Sequence, residues 1–521
     1  MELLIKNIKL PFDLDFEDAI DGVLRKKGIK GIKSRRIFKK SVDARKKPDI
    51  FFVYTVLCEA SVYPENDADI EEYIPDNFPE NVTPVRKKGK SPVVVGFGPC
   101  GMFCGLMLAK FGYEPLIIER GSEMDIRRKK VDAFFSGGRL DTECNVQFGE
   151  GGAGTFSDGK LMTRVKDVRC NYVLRELVRH GAPVEILYNA KPHIGTDNLT
   201  KTVKSIRGEI ISLGGRVMFD TRLTDIKRIH GGYELTLSTG DVIFAPAVFL
   251  AAGHSAHDIY KMLMKNGITV EPKDYSVGFR AEHLQRDVNA SLYGKAVENK
   301  NAHLLPAGEY SLSYRKGDRG VYSFCMCPGG LVVPSASEEN TIVTNGMSQF
   351  SRDGVNANSA ICISVLKSDY GQTPEKAMEF RQRLERSAFE VSGDYRAPCQ
   401  RAGDFLDGTF TKEFKNILPG YPMGVTGYDI GSLFTREMTS LFREAVRKFG
   451  TQFSFFKNPD APFTGVETRT SSPCRVPRAD NFQIENMPLF YPCGEGAGYA
   501  GGITSAALDG IRCAVDYITN E

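Results

Sequence analysis

Residues 92–110, PVVVGFGPCGMFCGLMLAK, run from a short apolar strand through a glycine turn into a helix of small and apolar residues. The turn, Gly96-Phe97-Gly98-Pro99-Cys100-Gly101, matches G-x-G-x-x-G, and its strand and helix flanks turn a weak pattern into a strong one. Gly96 permits the tight turn, Gly98 lets a pyrophosphate approach the backbone, and Gly101 allows close helix–strand packing. Phosphates would then meet the unpaired N–H groups and the dipole of the helix N-terminus. Pro99 and Cys100 belong to the same binding segment, whereas Cys104 reads as a small packing residue. Glu119 closes the next apolar run, 18 residues after Gly101. A carboxylate there suits the hydroxyls of a free ribose and repels a 2′-phosphate, and Arg120 beside it is assigned to the same cofactor.

Later segments favour FAD over NAD. PAVFLAAG (246–253) is an apolar strand ending near Ala252 and Gly253, and it resembles the strand behind the adenine side of two-domain flavoproteins. LFYPCGE (489–495) is a further strand ending in Gly494 and Glu495, where such flavoproteins use an acid to hold ribityl or pyrophosphate hydroxyls. Gly501-Gly502-Ile503 opens a C-terminal helix whose N–H groups would stabilise negative charge on the flavin pyrimidine edge. Leu223 is assigned to the cofactor as well. The middle region does not read as a separate NAD domain, so NAD(P)H, if used, is a transient reductant.

The chain has 521 residues, 41% hydrophobic and 26% charged, with a formal net charge of +3. This is enough for two or three domains and argues for no particular acidic partner. Neither a secretory signal nor an apolar run of membrane-spanning length is legible, and the twelve scattered cysteines read as reduced thiols. Cytoplasm is the expected location.

The pattern divides the chain into a small basic α+β domain (1–62), an acidic, proline-rich linker (63–90), an FAD-binding domain (91–270 with 486–521) and a substrate or cap domain (271–485). The first unit reads as βαββ. Between Arg25 and Lys47 it holds twelve Lys or Arg and one acid, Asp43. A solvated positive face is the leading reading and an acidic partner or RNA the alternative; the acidic linker could also lie against that face.

NVQFGEGGAGTFSDGKL (145–161), SFCMCPGGLVVPSASEENTIVTNGMS (323–348), GVETRTSSPCRV (465–476) and YPCGEGAGYAGGITSAALDG (491–510) together resemble a bacterial family of FAD-dependent (NAD(FAD)-utilizing) dehydrogenases, within the glutathione-reductase-like flavoproteins. The resemblance covers most of the chain and implies FAD binding and oxidoreductase activity, without a defined substrate. It also implies that Gly151–Asp158 lies along the cofactor. Gly152, Ala153 and Gly154 let backbone approach a flat ring, and Ser157 and Asp158 could orient it.

Three stretches could hold a substrate over the ring. Arg280 and Glu282 alternate on an expected strand and share a face. Glu467, Arg469, Ser471 and Ser472 offer acid, base and hydroxyls, with Arg469 or Arg475 as anion binders. Cys325 and Cys327, in SFCMCPGG, would share one face of a strand. Packing residues before a Pro-Gly-Gly turn, a labile dithiol and, least, half of a metal site are the readings open for them. His254 and His257 follow AAG directly, with helix-start capping the commoner role for such residues. The expected architecture is therefore α/β: a discontinuous Rossmann-like FAD-binding domain, a β-rich cap and a small N-terminal domain. The expected function is an FAD-dependent oxidoreductase acting on a small organic molecule; an RNA-modifying flavoenzyme and a non-catalytic flavin sensor are the alternatives.

Overall fold

The computed structural model describes residues 1–64, 66–85 and 91–520; residue 65 and residues 86–90 of the expected linker lie outside them. At the centre is a five-stranded parallel sheet, ordered Phe490–Pro492, Val248–Leu250, Val93–Val95, Leu116–Ile118, Arg216–Met218. Its strands are short apolar runs because both faces are covered. Val94 and Ile117 face the helices Pro99–Lys110, Gly195–Ser212 and Ile503–Thr519, packing with Phe103, Leu106, Ile210 and Ile511. Val93, Val95 and Leu116 face the other way, onto Tyr233 and Leu235 of a three-stranded antiparallel sheet. The strand period of two thus sorts one run into two cores. The chain's return through Phe490–Pro492 and the C-terminal helix completes this layer.

Residues 275–467 build a seven-stranded, mostly antiparallel sheet. Its strand Tyr275–Leu284 lies between Asn356–Val365 and Pro462–Glu467. Phe279, Phe405, Phe442 and Phe463 fill the core between this sheet and its helices. The two amphipathic helices expected here are Pro374–Glu390 and Arg436–Gln452, each started by a threonine, Thr373 and Thr435, whose side chain accepts an N–H of the first turn.

The first unit is βαββ, with Phe16, Ile20 and Leu24 of its helix buried on the sheet. The acidic segment is more than a linker. Ile70–Glu72 pairs with Glu2–Pro11 as a fourth strand, and Lys27 reaches Asp69 at 3.2 Å. Many charges of the basic run are offset locally: Arg35 by Glu17 and Asp21, Lys33 by Glu59, and Arg45 by Asp43. Among the described residues no helix is long and apolar enough to cross a membrane.

Buried charge ties the parallel and antiparallel layers together. Asp158, fully buried, is gripped by Arg352 from the antiparallel side, with Lys160 at 3.3 Å; Lys160 also pairs with Glu309. Asp158 is therefore a structural anchor and does not reach the cofactor cavity, contrary to the expectation for it. Burial opposes its charge, yet Lys160 and Arg352 outweigh burial and hold its carboxyl below the ordinary range. Burial opposes Glu309 too, and the same cations with Lys191 bring it to about 2. Their contribution to stability is present above the unfolded carboxylate value, roughly pH 4, and is lost as pH falls toward about 2. Asp158→Asn leaves the buried Arg352 and the part-buried Lys160 short of a partner and is expected to cost about 3 kcal/mol. Denaturant unfolding at neutral pH measures this, and a change below about 0.5 kcal/mol, the range of neutral surface substitutions, would contradict it.

Candidate functional site

A cavity of about 380 Å³ runs from the C-terminal edge of the parallel sheet to the antiparallel sheet. Gly96, Gly98, Pro99 and Cys100 form one wall, with Glu119, Arg120, Arg222 and Leu223 at one end. Gly152, Ala153, Gly154 and Ser157 lie alongside, as do Ala252, Gly253, His254, Glu495, Gly501, Gly502 and Ile503. Phe324, Cys325, Asn345 and Glu467, from strands, and Arg469 and Thr470, just after the strand Pro462–Glu467, close the far side.

The glycines are needed for two different reasons. At Gly96 φ is +101° and a Cβ would stand 2.4 Å from the Ala251 carbonyl oxygen, so the turn itself excludes a side chain. At Gly98 a Cβ would meet only Gly152 Cα, at 3.7 Å, and φ is −76°; here the fold has room, and what glycine leaves open is the cavity. The helices starting at Pro99 and Ile503 both begin at a glycine with no capping side chain. Two uncapped, electropositive ends thus open on one cavity, suited to a pyrophosphate and to the electron-rich edge of a reduced ring.

Glu119, only 5% exposed, accepts Phe97 N–H at 2.8 Å on Oε2 and the N–H groups of Gly121 and Gly149, each at 2.9 Å, on Oε1. It pins the glycine turn to the 145–154 loop and keeps a lone pair of Oε2 for a ribose hydroxyl. That loop is built around a residue the sequence did not single out. The fully buried Arg127 donates to the carbonyls of Asn145, Val146, Gly149, Glu150 and Gly152. Burial lowers its guanidinium to about 10, still charged at neutral pH.

Arg280 plays the same part on the far side. It is wholly buried, behind the cavity wall, and its five N–H donors are all used. They go to both oxygens of Glu467, to the Cys325 carbonyl (2.8 Å), to Asn358 (3.1 Å) and to Asn345 (2.9 Å). Arg280 therefore positions three cavity residues and meets no substrate itself. Arg469 does line the cavity, but its guanidinium is committed to Glu385 (3.1 and 2.9 Å), Ser337 and Glu338. It is a wall element and has no fork left for an anionic substrate. Arg475 lies over the Tyr499 ring.

Several other expected site residues stand outside the cavity for packing reasons. A Cβ on Gly101 would lie 1.9 Å from the Gly96 carbonyl, and one on Gly494 would lie 2.8 Å from Cys100 Cβ, so both glycines serve backbone approach. Cys327 is buried behind Cys325. The regular strand expected for this pair is broken: Arg319–Cys327 bulges between Phe324 and Cys327, and Cys325 sits at φ +42°. Glu282 is buried against Asn356 and Gly420.

Lys160 lines the cavity beside Ser157, and nothing in its local sequence marks it. His257 begins the helix His257–Lys265 but caps nothing; its Nδ1 lies 2.7 Å from Glu338 Oε1. His254 accepts from Arg381 at Nδ1 (3.2 Å), which leaves its proton on Nε2, 3.6 Å from Glu495 Oε1. Burial and the neighbouring Arg381 keep His254 neutral, well below the usual imidazole value. Burial pushes Glu495 up to about 7, with Lys273 opposing.

These features define an FAD-binding flavoprotein built on a Rossmann-type sheet: the turn, the Glu119 end, the glycine loop and both helix ends fit one extended dinucleotide. A family model described as "FAD-dependent protein, C-terminal domain-like" matches residues 274–470, and a domain of unknown function matches 3–59. The chain belongs to one family with an uncharacterized protein of Clostridium beijerinckii, 42% identical over 528 residues, covering 99% of this chain and 98% of that protein. Among solved structures it is similar to a glycine oxidase from Geobacillus kaustophilus, with 10% identity, TM-score 0.38, and 84% and 96% of the two chains covered. It is also similar to CmlS, a flavin-dependent halogenase, with 12% identity, TM-score 0.36, and 83% and 59% covered. Likenesses this distant assign no chemistry.

Gly98→Ala puts a methyl group into the cavity without straining the turn. The variant is expected to fold with an unchanged unfolding midpoint and to lose flavin affinity at least roughly tenfold, a fold-change of about 1.4 kcal/mol; unchanged flavin binding would place the dinucleotide elsewhere. Cys325 should also stand apart in the reduced protein. Its partner Cys327 and the cations Arg280 and Lys160 outweigh burial and bring its thiol to about 7. Since the thiolate is the nucleophile, iodoacetamide labelling of Cys325 is expected to rise through pH ~7, below the ordinary thiol value of about 8.5. A midpoint at or above 8.5 would show that Cys327 and the two cations do not lower the thiol.

Proposed function

We propose that this flavoprotein is an oxidoreductase of the dehydrogenase type, exchanging electrons with a small organic substrate held between the flavin and the antiparallel sheet. The observation that carries this reading is the composition of the far wall. Cys325, Asn345, Glu467 and Thr470 come from one layer and face a cavity whose other side has the features of a dinucleotide cradle. FAD supplies two-electron chemistry when bound; the chain supplies binding, orientation and protons. Glu119 and the two helix ends would hold the ribose, phosphates and ring edge. Glu495, poised near neutrality beside the Nε2–H of His254, can donate to or accept from a hydroxyl at Oε1. Cys325 Sγ can take up or release a proton near neutral pH at the far wall. Phe324 covers apolar substrate surface. A nicotinamide would act as a visiting reductant.

The test is anaerobic. Protein purified with its flavin, or reconstituted with FAD, is mixed with a panel of metabolites and NAD(P)H while the flavin's visible absorbance is followed. Bleaching by a panel member and recovery on adding an electron acceptor are expected. Protein that retains no flavin after reconstitution refutes the reading, and flavin that binds but never turns over favours a sensor.

A further inference from the structure

We propose that Cys325 and Cys327 are a dithiol–disulfide couple that exchanges two electrons with the flavin. The inference deepens the oxidoreductase reading of the same cavity. Cys325 lines that cavity and is partly exposed to it, while Cys327 lies directly behind. Two residues along a chain separate Cα atoms by at most about 7 Å, near the upper end of what a disulfide spans. A flat strand would hold the pair close to that limit. Here the bulge, with Cys325 in the left-handed region at φ +42°, takes the pair out of the extended form. Cys327 Sγ accordingly folds back to within 3.3 Å of the Cys325 carbonyl oxygen. A non-glycine residue in that region is uncommon and costs backbone energy, so a feature elsewhere must hold it. Arg280 does so: its Nη1 donates to the same carbonyl at 2.8 Å and stands 4.0 Å from Cys327 Sγ.

The surroundings leave the sulfur room. At Gly346 a Cβ would lie 2.8 Å from Cys327 Sγ and 2.4 Å from Arg280 Nη1, so only glycine lets both groups occupy this space. A second group of thiols in the molecule provides an internal contrast. Cys100, Cys493 and Cys513 also neighbour one another, and Cys100 also touches the cavity. Although Cys493 hydrogen-bonds to it, burial pushes the Cys100 thiol up to about 11. Cys513 is pushed well above the ordinary range, chiefly by burial. Burial thus favours the thiol form throughout that group. The Cys325 thiol is drawn the other way, first by Cys327 and then, against burial, by Arg280 and Lys160. A thiolate beside a thiol is the arrangement from which a disulfide forms.

One thiolate (Cys325), one thiol (Cys327) and one oxidised flavin give one S–S bond and one reduced, singly protonated flavin. The S–H bond of Cys327 breaks, and its proton and two electrons pass to the flavin. A ring closed across one intervening residue is strained, so the reverse step, reduction of the disulfide by reduced flavin, is accessible.

Three readouts test the couple in protein isolated in air. Anaerobic dithionite titration of the flavin-bound protein is expected to consume twice the reductant that the flavin alone requires, and Cys327→Ser only the flavin's share. The non-reduced peptide bearing both cysteines should be two hydrogens lighter than after dithiothreitol treatment. In flavin-free protein, diamide should close the same bond, whatever becomes of the flavin. A wild-type titration that stops at the flavin's own demand, with both cysteines alkylated in the unfolded air-isolated protein, overturns the couple. So does failure of diamide to close the bond. Absence of flavin from the reconstituted protein refutes the functional reading instead, and the diamide experiment distinguishes the two failures.

Discussion

Two buried guanidinium groups carry the architecture of this site. Arg127 and Arg280 are both fully buried, and a buried cation is tolerated only when its hydrogen-bonding capacity is met. Arg127 is met by the carbonyls of one loop, and Arg280 by side chains and one carbonyl from four separate segments. The planar fork of arginine fixes its partners in direction as well as distance. Each arginine therefore turns a potentially loose region, a glycine loop on one side and the edge of a strand on the other, into a defined wall. A lysine at either place would keep the charge and lose the geometry.

The cofactor side and the far wall solve different problems. Around the dinucleotide the demand is for close backbone approach, and the answer is glycine with uncapped helix ends. On the antiparallel side the demand is for polar side chains at set positions in a dry interior, and the answer is a chain of ion pairs: Arg280 with Glu467, Arg469 with Glu385, and Arg352 with Asp158. The last of these also joins the layers. The cavity wall and the layer interface are thus held partly by the same kind of interaction, and the wall residues depend on the layers staying in register.

The thiols show how environment, more than residue type, sets chemistry. Twelve free cysteines occupy this chain, and most are buried in apolar surroundings that disfavour the thiolate. Cys325 differs because the Cys327 sulfur and then a guanidinium lie close to it, and because a bulge presents it to a cavity.

The glycine turn, Glu119, the returning strand and the Gly-Gly-Ile helix start were all legible in the sequence, because each is a local device in which backbone chemistry follows from residue type and spacing over a few positions. The βαββ order of the first unit was legible for the same reason, through its hydrophobic periods. The sequence by itself could not assign Arg127, Lys160 or Asn345, or recognise that Arg280 and Arg469 are already committed. Glu467 lies 187 positions from Arg280, and Arg352 lies 194 from Asp158. Partners so distant meet only through strand order and register, which long-range packing decides. The strand segment at 70–72 was missed because three residues carry too little periodicity, and its pairing depends on an exposed edge of the first strand. The Cys325–Cys327 spacing was visible from the start. Whether it meant packing or chemistry turned on one bulge and one buried arginine, both products of the tertiary fold.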